Sequence, residues 1–186
     1  MTTEESHFES LISRTGCYAG IGSRSTPTTV LILIEAIAEI LAARGMTLRS
    51  GAALGADTAF ERGCDKIHGK KEIYLPRYRF NGSTSHLYPP SRAAEVMASL
   101  YHPNWRACNW AARQFHARNC HQVFGKDLDD PVRFIVFWAP ERNGVVAGGT
   151  AMAVNLARQN GIPTFNLLDQ RTREEWIALV NAGHSK

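Results

Sequence analysis

The sequence predicts a three-layer α/β domain, a mostly parallel sheet with helices on both faces. Three observations carry this. Short apolar runs alternate with helical-period segments along most of the chain. Glycine-containing loops follow three of the apolar runs and precede a helix each time. The 186 residues carry 44% hydrophobic and 20% charged side chains, which is enough to build one core and too apolar for a disordered chain.

The elements follow in order. Residues 1–14 read as a short helical lead-in. Cys17-Tyr-Ala-Gly-Ile-Gly is a buried strand ending in glycines. Thr28 to Arg44 carries Val30, Ile34, Ile37 and Leu41 at helical spacing, with Pro27 at its start and Gly45 at its stop. A second strand is expected at 46–50, a loop at 51–55 and a helix at 56–67. The third strand, at 72–75, stops at Pro76. A helical insertion is expected at about 76–123: a loop, a helix over Ser91–Tyr101, and a longer helix from Asn104 to about His121. Strands are expected at 133–138 and 162–166, a glycine loop over Val145–Gly149, and helices over Thr150–Gln159 and Thr172–Asn181. Right-handed crossovers then place every strand-to-helix loop on one edge of the sheet. The whole of 1–186 reads as a single Rossmann-like domain.

Those loops are the candidate binding elements: Gly20-Ile-Gly22-Ser23-Arg24, Ser50-Gly51-Ala-Ala-Leu-Gly55-Ala56-Asp57, and Gly148-Gly149-Thr150. Glycine lets a ligand approach the backbone. Helix starts present unpaired N–H groups and a partial positive charge, which attract phosphate. Arg24 can pair with that phosphate, and Ser23 and Thr150 can donate hydroxyls. Asp57 has two readings: a first-turn carboxylate facing the helix dipole, or a ribose hydrogen-bond partner. Glu61, one turn on, makes an acid–base pair with it conceivable, against a solvated helix face. Arg118, Asn119 and Gln122 are polar residues at the end of a long helix, either lining the ligand or forming a core network. Glu141 reads as a loop carboxylate. Arg77-Tyr-Arg-Phe80 interleaves basic and aromatic residues on the ligand edge, which suits base stacking or simple cover for the sheet. Trp105, Trp110, Phe115 and Trp138 read as core.

The combination of Gly22-Ser-Arg, Ser50-Gly-Ala-Ala-x-Gly-Ala-Asp57 and Gly148-Gly-Thr150 resembles the SLOG superfamily. Its members include the Rossmann-like domain of DNA-processing protein A, the Lonely Guy phosphoribohydrolases, molybdenum-cofactor carrier proteins and sensors of nucleotide signals. Within it, the chain is most similar to small stand-alone DNA-processing-A-like proteins of phages and prophages. Their His-Pro-x-Trp and Arg-Asn-x-x-Gln-Val-x-Gly patterns match His102–Trp105 and Arg118–Gly125. The resemblance spans roughly residues 16–168. It implies a nucleotide or nucleotide-derived phosphate ligand, a cyclic ADP-ribose-type signal among the candidates, sequestered or sensed, and assembly as a homo-oligomer. Two alternatives stand beside it: an N-glycosidic nucleotide hydrolase or transferase, and a single-stranded DNA-binding protein. The chain departs from the phosphoribohydrolases after Thr150, where Ala151-Met-Ala-Val154 lacks their glutamate. It also has Ala52 and Ala53 where related chains often have glycine, which narrows the expected pocket.

The net charge of +4 permits phosphate or nucleic-acid partners without selecting them. No apolar run reaches the ~18 residues of a membrane span. Cys17, Cys64, Cys108 and Cys120 form no C-x-x-C pair, and 1–10 is polar and acidic, so the expectation is a reduced cytoplasmic protein with free thiols. Cys108, His116 and Cys120 fall on one helical stripe but lack the compact pairing of zinc sites, so neither metal nor cofactor is expected.

Overall fold

The computed structural model describes residues 8, 10–102 and 104–184. Most of the expected lead-in, and Pro103 of the His-Pro-x-Trp motif, lie outside them; residues 8 and 10–12 are helical. Five strands form one parallel sheet: β1 (Cys17–Gly22), β2 (Thr47–Ser50), β3 (Lys71–Ile73), β4 (Ile135–Trp138) and β7 (Thr164–Asn166), in the order β3-β2-β1-β4-β7. Every pairing in it is parallel, with Tyr18 opposite Leu48 and Gly20 opposite Val136. The order reverses between β1 and β4, the position where an open α/β sheet leaves a crevice at its carboxyl edge.

Among the described residues, six helices of ten residues or more accompany the strands: α1 (Thr28–Ala43), α2 (Ala56–Asp65), α3 (Arg92–Tyr101), α4 (Trp110–Phe124), α5 (Thr150–Gln159) and α6 (Gln170–His184). Strand alternation divides them between the faces. Tyr18, Leu48, Phe134 and Val136 pack with buried residues of α1, α2 and α6. Ala19, Ile21, Ile135 and Phe137 pack with buried residues of α3, α4 and α5. Trp176 of α6 is fully buried and meets Phe8, Phe134 and Phe165 edge-on or tilted. The three-layer α/β architecture expected from the alternation is therefore the one observed.

Three expectations need correction. The helix expected from Asn104 starts at Trp110, because Asn109 caps it by accepting the Ala112 N–H at 2.9 Å. Residues Trp105–Ala107 form a separate 3₁₀ turn. The stretch expected as a loop from Val145 begins as a strand: β5 (Glu141–Arg142) and β6 (Val145–Val146) pair antiparallel. The turn between them is Asn143-Gly144, with φ of 50° and 76°, the pair that a two-residue hairpin with two left-handed positions favours. Finally, β3 ends at Ile73, and Tyr74 forms only an isolated parallel bridge to Leu87. His121 secures the insertion at this edge. Its ring lies against Tyr74, and its Nε2 accepts the Ser91 N–H at 3.0 Å at the start of α3.

A polar anchor stands beside Tyr74, whose hydroxyl donates to Glu72. Arg49 is 2% exposed in β2, donates to Glu72 at 2.7 Å and to the Asp130 backbone carbonyl at 2.6 Å, and so ties the segment before β4 to β2. Helices α1 and α2 cross so closely at Gly63 that a Cβ there would stand 2.1 Å from the Glu35 carbonyl oxygen. Gly63→Ala must separate the helices, and chemical denaturation should show a loss of about 1–3 kcal/mol.

Candidate functional site

Beyond the carboxyl edge of β1 and β4 lies a cavity of about 530 Å³. The β1–α1 loop supplies Gly22, Ser23 and Arg24 to it; α2 and its approach supply Ala53, Leu54 and Asp57. Gly148, Gly149 and Thr150 come from the start of α5. Helix α4 contributes Ala112, Phe115, His116, Arg118, Asn119 and Gln122, whose spacing repeats by helical turns along one side of the helix. Phe80 and Asn81 complete the wall.

The expected residues divide into those that line this space and those that build it. Gly20, Ser50, Gly51, Gly55 and Ala56 are not among the lining residues. Ser50 is fully buried, and its hydroxyl donates to the Gly20 carbonyl at 2.7 Å, joining the ends of β2 and β1. A Cβ at Gly20 would collide with the Phe60 ring, and one at Gly55 would stand 2.7 Å from the Ser23 carbonyl oxygen. At Gly51 a Cβ would fall 1.2 Å from Nη1 of Arg118, so glycine is required for that guanidinium to lie across the loop. Even Gly22, which does reach the cavity, is enclosed by Ala56 and Trp138. Gly148 and Gly149 differ: nothing lies within 4 Å of a Cβ built at either.

Asp57 and Arg118 form a buried ion pair, Nη1 to Oδ2 at 3.2 Å, with side chains 4% and 7% exposed. The carboxylate also accepts the Gly22 N–H at 3.2 Å and the Ala53 N–H at 3.4 Å. It thus ties the end of β1 to the loop that leads into α2. Burial raises the Asp57 pKa, opposed first by the Arg118 charge. Burial likewise lowers that of Arg118, opposed by Asp57. Arg118 Nε has no hydrogen-bond partner.

The polar cluster of α4 continues from this pair. With the Gln122 amide turned so that both ends are satisfied, its oxygen accepts from Arg118 Nη1 at 2.9 Å and from the Gly51 N–H at 3.1 Å, while its nitrogen donates to Asn119 Oδ1 at 3.0 Å. Asn119 Nδ2 donates to the Gly149 carbonyl at 3.0 Å. One run of hydrogen bonds therefore links the β2–α2 loop, α4 and the start of α5. The two readings of this cluster coincide, because the same residues line the cavity and hold its loops.

Glu61 does not join Asp57. It borders a separate cleft beside Lys71, 3.6 Å away, so the two carboxylates do not face one space. Burial raises the Glu61 pKa, opposed by Lys71. Glu141 is no free loop carboxylate either; it sits in β5, paired with Arg158 at 3.0 Å and accepting from Asn166 at 2.8 Å. Of the aromatics expected in the core, Trp110 is 68% exposed and Phe115 is 36% exposed at the cavity wall, while Trp105 and Trp138 are half-buried. Of the two alanines in the second loop only Ala53 lines the cavity; Ala52 takes φ 54°, a left-handed conformation that suits glycine better. In the 77–80 segment, Arg77 lies over the Phe80 ring and Arg79 over Tyr78, so these cations cover their own aromatics. The Arg24 side chain is exposed and has no ion-pair partner among the described residues. His116 is held neutral, its pKa lowered to about 4 chiefly by burial.

Asn81, His116 and Ala112 were not singled out as site residues from the sequence. Their signal was the turn-by-turn spacing of α4 and, for Asn81, its place directly after the basic–aromatic segment.

No family model matches the chain, and no curated protein matches it by sequence. Solved structures do. The molybdenum-cofactor carrier protein of Chlamydomonas reinhardtii aligns over 91% of this chain and 86% of its own, with 17% identity and a TM-score of 0.52. DNA processing protein A of Streptococcus pneumoniae aligns over 93% of this chain and 58% of its own, with 14% identity and a TM-score of 0.49. DNA processing protein A of Helicobacter pylori aligns over 97% and 85%, with 13% identity and a TM-score of 0.40. Among the described residues no helix is long and apolar enough to cross a membrane.

Removing one member of the buried pair leaves an uncompensated charge, so Arg118→Met should lower stability by about 3–5 kcal/mol in urea denaturation. Adding Asp57→Asn to that variant should restore most of the loss.

The chain has the Rossmann-like α/β fold, the fold of the molybdenum-cofactor carrier protein and the one that its resemblance to the SLOG superfamily implies.

Proposed function

We propose that the protein binds a nucleotide or nucleotide-derived phosphate ligand in this cavity and holds it without turnover. One observation carries the reading. The glycines of the first two loops are filled by protein atoms, whereas Gly148 and Gly149 present bare backbone to open space. They do so at the first turn of α5, and Arg24 with its exposed guanidinium borders the same cavity. Bare backbone at a helix start together with a free cation is an anion site. The volume is in the range of small-molecule pockets, roughly 300–1,000 Å³. Phe115, 36% exposed, offers an apolar wall for a base. The neighbour named as a carrier of the molybdenum cofactor is a small-molecule carrier on the same fold, which agrees with holding rather than converting a ligand.

Lack of turnover rests on the carboxylates. Asp57 is held by Gly22, Ala53 and Arg118, Glu61 faces another cleft, and the position three residues after Thr150, where the phosphoribohydrolases carry their glutamate, is the fully buried Ala153. A cyclic ADP-ribose-type signal is the first ligand class to test, and assembly as a homo-oligomer belongs to the same reading.

Isothermal titration with mono-, di- and cyclic nucleotides and a short single-stranded oligonucleotide tests it. Binding of at least one nucleotide is expected. Gly149→Val should abolish it with the fold retained, and Arg24→Ala should weaken it by about 1.5–3 kcal/mol through loss of a charged hydrogen bond. Unchanged binding in both variants would place the ligand elsewhere. Tight binding of the oligonucleotide alone, with a steep salt dependence, would favour the DNA-binding alternative.

Incubation with AMP and related monophosphates should release little free base. Rapid release that disappears in Glu61→Gln would establish the hydrolase alternative instead.

A further inference from the structure

The sequence places Cys108, His116 and Cys120 on one helical stripe, but the structure breaks that stripe. Cys108 precedes the Asn109 cap and lies outside α4. Cys120 is fully buried, with its thiol on the His116 carbonyl oxygen at 3.7 Å. His102, eight residues before α4 on the far side of the 3₁₀ turn, takes the place of Cys120.

The ligand atoms of His102, Cys108 and His116 all lie within 4.8 Å of one another. The imidazole centroids of His102 and His116 are 4.2 Å apart. Cys108 Sγ stands 3.7 Å and 3.8 Å from the two ring nitrogens of His102. Zinc–nitrogen and zinc–sulfur bonds of ordinary length place a nitrogen and a sulfur about 3.6 Å apart on a tetrahedral edge. The thiol therefore already stands at a ligand's separation from His102.

A second observation is independent of these distances. Nδ1 of His116 is buried and has no hydrogen-bond partner. Buried polar atoms in folded proteins are nearly always satisfied, so an orphan nitrogen on an imidazole packed against a second imidazole calls for a partner. On His102, Nδ1 accepts the Asn104 N–H at 3.2 Å, which leaves Nε2 as the available ligand. Two imidazoles and a thiol that gives its proton to solvent as the metal binds form a donor set of borderline-soft character.

We propose that His102, Cys108 and His116 form a binding site for a divalent transition metal of the zinc class. The metal closes the irregular segment between α3 and α4 onto the first turns of α4. Three protein ligands leave one position of a tetrahedral ion for water or another small ligand. His116 also borders the nucleotide cavity, so this site lies at the cavity's edge without sharing the Gly148–Thr150 backbone.

The test uses the full chain, stripped with a chelator and titrated with Co²⁺, in the absence of nucleotide. A single saturable equivalent is expected, with the near-ultraviolet thiolate-to-cobalt band and the visible bands of tetrahedral Co²⁺, both removed by adding Zn²⁺. Cys108→Ser should lose the thiolate band. His102→Gln and His116→Gln should each weaken Co²⁺ binding by about 100-fold. Cys120→Ala should bind like the parent. A parent protein that takes up no Co²⁺, or a thiolate band that persists in Cys108→Ser or vanishes only in Cys120→Ala, overturns the site. Either result leaves the nucleotide reading intact, because that reading is tested by Gly149→Val and Arg24→Ala.

Discussion

The Asp57–Arg118 ion pair spans the end of the sheet. Asp57 comes from α2 on one face and Arg118 from α4 on the other, so the pair bridges helices that the five strands otherwise keep apart. Each charge would be costly alone at such depth. Together they constrain their neighbours. Gly51 must lack a side chain to let the guanidinium pass, Gln122 must turn its oxygen to Arg118 and to the Gly51 N–H, and Asn119 must then reach the Gly149 carbonyl. The glycine loop before α2 and the start of α5 are therefore held by one polar network.

This arrangement also explains why three similar glycine loops play different parts. The start of α2 attracts an anion, and Asp57 supplies one from within the chain. The start of α5 has no such internal carboxylate at its first turn, and its two glycines remain bare. Equal local sequence signals thus lead to one filled site and one open site. The difference lies in whether a carboxylate of the helix turns back to the N–H groups beside it. The proposed metal site stands apart from this logic, since it depends on side chains of a segment that contributes no strand.

How much was legible in the sequence can be judged element by element. The alternation of Tyr18, Gly20 and their neighbours, the Pro27 and Gly45 boundaries of α1, and the glycine loops at strand ends all follow from local chemistry. Those features are set by residues adjacent in the chain, so period and punctuation reveal them. The hairpin at Asn143-Gly144 is equally local, since its turn rests on an Asn-Gly pair adjacent in the chain. The start of α4 is readable as well, from Asn109 as a cap.

By itself, the sequence determined the alternation of the five sheet strands with helices, the parallel sheet and the edge on which its loops gather, because each rests on backbone preferences and hydrophobic period. Tertiary structure decided which of those loop residues face open space. It turned Gly51 and Gly55 into packing positions, sent Glu61 to a different cleft from Asp57, and brought His102 rather than Cys120 to Cys108 and His116. The physical reason is that a residue's neighbours across a cavity come from helices far away in the chain. Their approach is fixed by how α2, α4 and α5 pack on the two faces of the sheet, and no local period encodes it.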